Sequence, residues 1–303
     1  MLSGRRVLAV LNPTSGAGRG ADLESAVRDG VLGHGAASAE VRVTSGPDDA
    51  LSWATAAAEE GFDLVVAGGG DGTVTAVARG VFASSADVPV AVLPLGTGNG
   101  LARVLGVPLE PEAALESLAS GKPVRLDVLE VTSHGLVSLL FCGAGLDAMI
   151  NEAADREAKD ELGFLAYLRA ALSASRDLRR HDLTLALDGR TRRLRGHTVI
   201  AFNATRLELL GLAVGPDSTP HDGLMDVAVM RRPGAWAVLR RALRLLDRAG
   251  SRADLAPAAH LRVEASPPLP VQVDGDPVGE TPLEVRVAPA AVTFVAPADY
   301  GGG

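Results

Sequence analysis

Residues 62–80 read FDLVVAGGGDGTVTAVARG, and the amino half of the chain can be built outward from them. Residues 63–67 are a short apolar run, the pattern of a parallel strand covered on both faces. The run opens into Gly68, Gly69 and Gly70, then Asp71, Gly72 and Thr73. Val74, Val77, Ala78 and Val81 follow at helical spacing. A strand, a glycine turn and a helix start let backbone approach a phosphate closely and turn helix N–H groups toward its oxygens. Asp71 is at odds with simple anion capture, because a carboxylate repels phosphate unless a divalent cation lies between them. The stretch points to a nucleotide together with a metal ion. A tight turn with an exposed Asp is the plainer alternative.

Upstream, Arg6–Leu11 reads as a first strand, and residues 12–18, NPTSGAG, as a turn rich in glycine and small hydroxyls. Residues 20–31 carry an apolar helical stripe, 40–44 a second strand, and 47–60 a helix with Pro47 near its start. Downstream, the strand at 88–93 ends in Pro94-Leu95-Gly96-Thr97-Gly98-Asn99-Gly100. Strands alternating with helices predict an open parallel sheet, with the ligand beyond the carboxyl ends of its strands. Three polar, glycine-containing loops stand at those ends. Thr14, Ser15 and backbone N–H groups of the first could contact phosphate. Thr97 and Asn99 of the third could hold a ribose, base or phosphate. The chain has no GxxxxGK[ST] phosphate loop and no HRD or DFG set.

With 303 residues the chain can build two domains. An apolar content of 47% with 22% charged residues fits a soluble globular protein, and a formal charge of -8 argues against wholesale nucleic-acid binding. One cysteine, Cys142, cannot form an intramolecular disulfide, which suits a reducing compartment; its apolar surroundings predict a buried core thiol. The six histidines lack metal-ligand spacing. No apolar span of about 18 residues occurs, and MLSGRRVLAVLNP is too short for a signal peptide and reads as the first strand. The expected location is cytoplasmic, with peripheral contact at the inner membrane face and homodimer formation left open.

The carboxyl half reads differently. A helix at 111–119 is followed by strands at 124–131 and 137–142, then an amphipathic helix over 155–180. Strands at 181–187 and 197–203 flank an Asp188-Gly189 turn and the basic run Arg190, Arg192, Arg193 and Arg195. That run could attract anionic lipid headgroups, or simply be a solvated strand edge. Further strands read at 227–230, 261–264, 269–273, 283–287 and 292–295, with an arginine-rich helix carrying Trp236 at 234–249. The expected fold is two-domain, α/β plus mainly β: an amino-terminal open parallel sheet with helices, and a carboxyl-terminal antiparallel β-sandwich with attached helices.

The motifs together resemble the bacterial diacylglycerol/lipid kinase family, which is related to sphingosine and ceramide kinases and more distantly to NAD kinases. The resemblance starts at Asn12-Pro13 and Ser15-Gly16 and runs through Gly69-Gly70-Asp71-Gly72-Thr73 and Pro94-Leu95-Gly96-Thr97-Gly98-Asn99. It continues through Gly145-Leu146-Asp147-Ala148, then Asn203, Gly211, Pro216 and Asp222-Gly223-Leu224-Met225-Asp226-Val227, and ends at Val273-Asp274-Gly275-Asp276. Gly100 departs from it, since many members carry Asp there, and so does Asp276, where Glu is common.

The resemblance implies ATP-dependent phosphorylation of a lipid hydroxyl, on diacylglycerol or a sphingoid or ceramide-like lipid, with ATP and Mg2+ as cofactors. It implies a lipid substrate, transient peripheral membrane contact and no nucleic-acid partner. It implies a nucleotide-binding domain over 1–127 and 289–303, and a β-rich lipid-substrate domain over 128–288. Asn12, Thr14, Ser15, Gly16, Gly69, Gly70, Gly72, Thr73, Gly96, Thr97 and Asn99 would bind the nucleotide. Asp71 would organise its Mg2+, Asp127 would support the same water network, and Asp276 would orient or deprotonate the lipid hydroxyl. A separate structural Mg2+ would fall on Asp222, Leu224 and Met225, with Asp217 nearby. Two other functions stay open at this point: an NAD kinase, which shares the residues 69–73, and a nucleotide-binding regulatory protein without turnover.

Overall fold

The structure, a computed structural model, describes residues 1–15, 20–145, 179–204, 208–209, 212–213, 218–231 and 255–301. Contacts divide the chain into two units, Met1–Asp127 with Pro289–Gly303, and Val128–Ala288.

The first unit alternates β1 (Arg6–Leu11), α1 (Gly20–Gly33), β2 (Ser38–Val43), α2 (Asp49–Ala56), β3 (Leu64–Gly69), α3 (Asp71–Ser84), β4 (Val90–Pro94), α4 (Gly100–Leu105) and α5 (Pro111–Ser120). The strands lie in the order β2-β1-β3-β4, and every pair is parallel. Central strands covered on both faces should be apolar throughout, and β3 and β4 are buried at every position. At the end of the row, β2 alternates between exposed and partly buried residues. The chain passes from β1 outward to β2, then returns across β1 to β3. That reversal opens a crevice beyond the carboxyl ends of β1 and β3, where an open α/β sheet takes its ligand.

The remaining strands are β5 (Lys122–Val131), β6 (Leu136–Ser138), β7 (Phe141–Gly145), β8 (His181–Leu187), β9 (Arg190–Gly196), β10 (Thr198–Phe202), β11 (Glu208–Leu209), β12 (Leu212–Ala213), β13 (Met225–Met230), β14 (Leu255–Ala258), β15 (His260–Ser266), β16 (Pro270–Val273), β17 (Asp276–Glu280) and β18 (Leu283–Ala296). In the second unit β14-β13-β10-β7-β16-β17 form one antiparallel sheet. The first half of β18 pairs with β15, then β8 and β9, again antiparallel. Their inner faces share one core: Leu183, Leu185, Leu261, Val263, Leu283 and Val285 from one side, with Cys142, Ala144, Val199, Ala201, Val227 and Val271 from the other. Alternate residues of each strand enter it, the period of a half-buried strand. The second unit is an antiparallel β-sandwich.

Some boundaries differ from the sequence expectation. The two strands expected at 283–287 and 292–295 are one strand, β18. Pro289 suggests a break, but the chain absorbs it in a bend at Ala290, whose φ is 47°, and continues into the first unit, where Phe294 and Val295 run parallel beside Val90 and Ala91 of β4. The strand expected at 137–142 is instead β6 and β7, separated at Leu139 and Leu140. The helix expected at 155–180 lies outside the described residues as far as residue 178, and Arg179 and Arg180 are not helical; the helix expected at 234–249, with Trp236, lies outside them, as do Gly211, Pro216 and residues 146–148.

Candidate functional site

The crevice of the first unit is laced by short polar side chains. Asn12 follows β1 and extends its ladder, with its N–H donating to the Gly68 carbonyl at 2.9 Å. Its Oδ1 accepts from the Thr14 N–H at 3.0 Å and the Thr14 hydroxyl at 2.8 Å, which folds the loop back on itself. Its Nδ2 donates to Thr73 Oγ1 in the first turn of α3 at 3.3 Å. Ser15 Oγ accepts from the Gly70 N–H at 3.3 Å. The loop after β1 is thus tied to both ends of the glycine turn. Gly70 precedes α3 with an extended backbone, and no side chain caps that helix start.

The loop after β4 closes on the same turn. The Leu95 N–H donates to the Gly69 carbonyl at 2.9 Å. Gly96 lies so near Gly70 that a Cβ on it would fall 2.5 Å from the Gly70 Cα, so glycine is required here by contact. Asn99 sits in the left-handed region, φ 51°, and is buried. Its side chain clamps Gly96, accepting from its N–H at 3.1 Å and donating to its carbonyl at 2.6 Å. Arg103 of α4, which the sequence reading did not single out, donates from Nε to the Gly98 carbonyl at 3.0 Å. Its neighbours Leu101, Ala102, Val104 and Leu105 are all buried, and that spacing leaves it as the outward residue of the turn.

Asp71 lies between these loops. Its Oδ1 accepts from the Leu101 N–H at 3.4 Å, a long bond, and the residue is partly exposed. A cavity of about 400 Å³ adjoins, lined by Ser15, Leu95, Thr97, Asn99, Leu109 and Pro111 among others. That is the size and the mixed lining of a small-molecule pocket. Leu109 and Pro111 carried no signal in the sequence, because neither belongs to a motif. Gly72 and Thr97 are exposed beside the site and Thr73 is buried, while Gly16 lies outside the described residues.

Asp127 behaves differently. It is buried, and its Oδ1 accepts from the Ala290 N–H at 2.7 Å, while Arg125 Nε donates to the Ala290 carbonyl at 2.8 Å. These bonds brace the bend in β18, and neither reaches the glycine loops.

In the second unit, Asp276 begins β17 and is exposed. The preceding Asp274 and Gly275 both have positive φ, 48° and 99°, the signature of a two-residue type I′ hairpin turn. The Asp274 carboxylate accepts from the Ser138 hydroxyl at 2.7 Å and from the N–H groups of Leu139, Leu140 and Phe141 at 2.9, 2.9 and 3.1 Å. Burial pushes this carboxyl up from the usual range, and the four donors pull the other way. Asn203 holds the same bend, donating from Nδ2 to the Leu139 carbonyl at 2.8 Å. Two residues of the sequence motifs therefore serve a single bend, a role that no motif announces.

The Asp222 loop offers less. Asp222 is exposed, and its Oδ1 accepts from the Leu224 N–H at 3.0 Å. Leu224 is exposed, and Met225 is buried in the ladder opposite Ala258. Asp217 lies outside the described residues. Among the described residues no three His, Cys, Asp or Glu side chains gather as a metal cage. A lone partly exposed carboxylate such as Asp71 still fits Mg2+, which commonly takes one or two carboxylates, water and substrate phosphates.

Residues 6–131 match the diacylglycerol kinase catalytic domain, and residues 141–296 match the YegS C-terminal NAD kinase β-sandwich-like domain. The chain is also 30% identical over 298 residues to a probable lipid kinase YegS-like of Pseudomonas putida, covering 98% of this chain and 97% of that protein. The chain belongs to the bacterial diacylglycerol kinase and YegS-like lipid kinase family. An uncharacterized Synechocystis protein is 29% identical over 273 residues; the match spans 86% of this chain but only 62% of that longer relative. The crystal structure of a diacylglycerol kinase from Bacillus anthracis shares the fold, with a TM-score of 0.79 over 97% of each chain at 22% identity. The family is broadly related to the NAD kinase fold, and within it the glycine loops of this chain fall in the catalytic-domain match.

Proposed function

We propose that this protein transfers the terminal phosphoryl group of ATP to a lipid hydroxyl, with diacylglycerol the first candidate acceptor and a sphingoid or ceramide-like lipid the second. The observation that carries the reading is the joining of three loops at the switch point of the sheet, beside a cavity of about 400 Å³. Family membership supports kinase chemistry, and the description of the matched amino-terminal domain favours diacylglycerol.

In the transfer, the lipid oxygen forms a bond to the γ-phosphorus as the bond to the bridging oxygen of ADP breaks, and the hydroxyl proton leaves to a base or to water. Bound Mg2+ supplies charge neutralisation at the phosphate oxygens. The backbone of Gly72 and the uncapped start of α3 receive phosphate oxygens, joined by Gly70 once its N–H leaves Ser15; Ser15 and Thr97 add hydroxyl donors, and Thr14 does so once its hydroxyl turns from Asn12. Asp71 holds the metal–nucleotide complex in register. Asn99 keeps its loop in the left-handed turn that presents Thr97. Asp276 is assigned to the hydroxyl of the acceptor, as an orienting group or proton acceptor. Asp127 is assigned to positioning through the bend it braces. With ATP as donor and a lipid as acceptor, the location that fits this reading is the cytoplasmic face of a membrane.

The test is incubation of the purified chain with ATP, Mg2+ and a total membrane-lipid extract, read by mass spectrometry, with NAD as a parallel acceptor. A phosphomonoester lipid that needs both ATP and Mg2+ is the expected product. Folded protein that binds ATP yet phosphorylates no lipid would sink the proposal, and phosphorylation of NAD alone would replace it.

A further inference from the structure

The four-strand layer of the second unit, β18-β15-β8-β9, carries its charges in two contrasting ways. On β15 and β18 the charges neutralise one another: Arg262 bonds Glu264 at 2.8 Å and Glu284 at 3.2 Å, and His260 and Arg286 also meet Glu284. On β9 they do not. Arg190, Arg192, Arg193 and Arg195 are all exposed. Arg195 bonds Asp182 across the strand pair at 3.1 Å. Arg190, Arg192 and Arg193 have no ion pair among the described residues; Arg190 and Arg192 stand opposite Leu187 and Leu185, at the exposed rim of the inner face, and Arg193 stands opposite Thr184 on the outer face. The nearest acid in sequence, Asp188, is in the turn and directs its Oδ1 at the N–H groups of Ala259 and His260. A chain with a net charge of -8 thus concentrates on one strand positive charge that has no ion-pair partner among the described residues.

Among the described residues that strand ends the row of its sheet, and β9 pairs there on one side only. An edge strand can add a second copy of itself, but here such pairing would set arginine against arginine. Charge complementarity selects an anionic partner, and an edge strand offers it an extended row of guanidinium groups rather than a pocket. We infer that β9 is a docking edge for an anionic lipid bilayer, met edge-on so that Arg190 and Arg192 from one side of the strand and Arg193 from the other reach its headgroups. The choice of a bilayer over other polyanions rests on the lipid-kinase reading above. The interaction is electrostatic, so it weakens as salt shortens the screening length.

The experiment is co-sedimentation of the full chain with phosphatidylcholine vesicles, with and without phosphatidylglycerol. The parent is expected to bind only the anionic vesicles, and to be released by salt. Each arginine near an anionic surface contributes about a fivefold factor in partitioning, so changing Arg190, Arg192 and Arg193 together to Gln should weaken binding on the order of a hundredfold. The thermal midpoint of that variant should match the parent, since the Arg195–Asp182 pair is kept. Thr191→Arg, on the exposed strand, should strengthen binding by about fivefold. Equal binding by the parent and the folded triple variant would overturn the inference. So would equal binding to neutral vesicles, or RNA binding through these arginines with no vesicle binding. Turnover on a water-dispersed short-chain diacylglycerol keeps the two readings apart. A parent that binds anionic vesicles through β9 but phosphorylates no lipid leaves the docking edge standing and removes the kinase reading. A parent that phosphorylates the lipid, with a triple variant that binds vesicles normally, does the reverse.

Discussion

Asp71 and Asp274 both stand beside glycine in a turn that the sequence marks as functional, yet they are held in opposite ways. Asp71 receives one backbone N–H at 3.4 Å and is partly exposed. Asp274 receives a hydroxyl and three N–H groups at 2.7 to 3.1 Å. The first carboxylate keeps its charge open to a ligand, and the second is committed to the fold. A motif names the residue type that a turn requires. It does not say whether the side chain looks outward or back into its own protein.

The sharpest way to break that contrast is to neutralise Asp71. Asp71→Asn keeps the side-chain size and the acceptor for Leu101, so the thermal midpoint should stay with the parent. Turnover should fall by about 10³-fold, the scale of losing one preorganised electrostatic partner. A variant with parental turnover would take Asp71 out of the metal–nucleotide complex.

Asp274→Ala should do the opposite, leaving four donors without their acceptor. The expected cost is about 3 kcal/mol of stability, read by urea denaturation. Cys142, fully buried and opposite Val273, reports the local loosening. Burial, with a smaller push from the charge of Asp274, drives its thiol pKa up, so the native parent should resist thiol reagents. The variant should label faster. Loss of catalysis with unchanged stability would make Asp274 a functional residue after all.

Asp276, two residues on, is exposed and lies between these cases. Asp276→Asn should lower lipid phosphorylation by about 10²-fold while calorimetric binding of a nonhydrolysable ATP analogue persists. Asp276→Glu, which keeps the carboxylate, should retain much of the activity. Loss of nucleotide binding in Asp276→Asn would move this carboxylate into the metal–ATP network. Smaller again is Ser15→Ala, which removes one hydrogen bond to Gly70. It should cost about 1 kcal/mol, seen as a fivefold rise in the KM for ATP with little change in kcat.

What was legible in the sequence follows the same division. Residues 63–67 read as a buried strand because continuous apolar residues can sit only between covered faces, and the strand observed there, Leu64–Gly69, extends two residues into the glycines. Asp188-Gly189 and Asp274-Gly275 read as turns because both need positive φ, which they have. The loops of the candidate site read well because glycine, Asn and small hydroxyls mark them locally. The bonds from Asp274 to Ser138 and from Asp127 to Ala290 span 136 and 163 residues of chain, and no local pattern encodes them. The continuity of β18 was hidden for another reason: Pro289 signals a strand end, and only pairing on both sides of Ala290 overrides it.

The smallest expected effect turns the comparison on pH, through two carboxylates of the second unit whose shifts have opposite signs. Glu284 is partly buried, and its hydrogen bond to His260, then Arg286, holds its pKa below the ordinary value. Its contribution is present above the ordinary carboxylate range and fades as pH falls through the lowered folded value. Asp274 is raised, chiefly by burial. Between the ordinary Asp value and that raised one, the unfolded chain has released the proton and the folded chain still holds it. Folding then binds protons, so this part of the stability is present at low pH and declines as pH rises through the window. The cost of Asp274→Ala should therefore be greater at about pH 4 than at about pH 7, while the cost of Glu284→Gln should grow in the other direction. Paired urea titrations at the two pH values decide the matter. If Asp274→Ala costs more at the higher pH, the four donors outweigh burial and it is the charged carboxylate that the bend at Leu139 and Leu140 is built to hold.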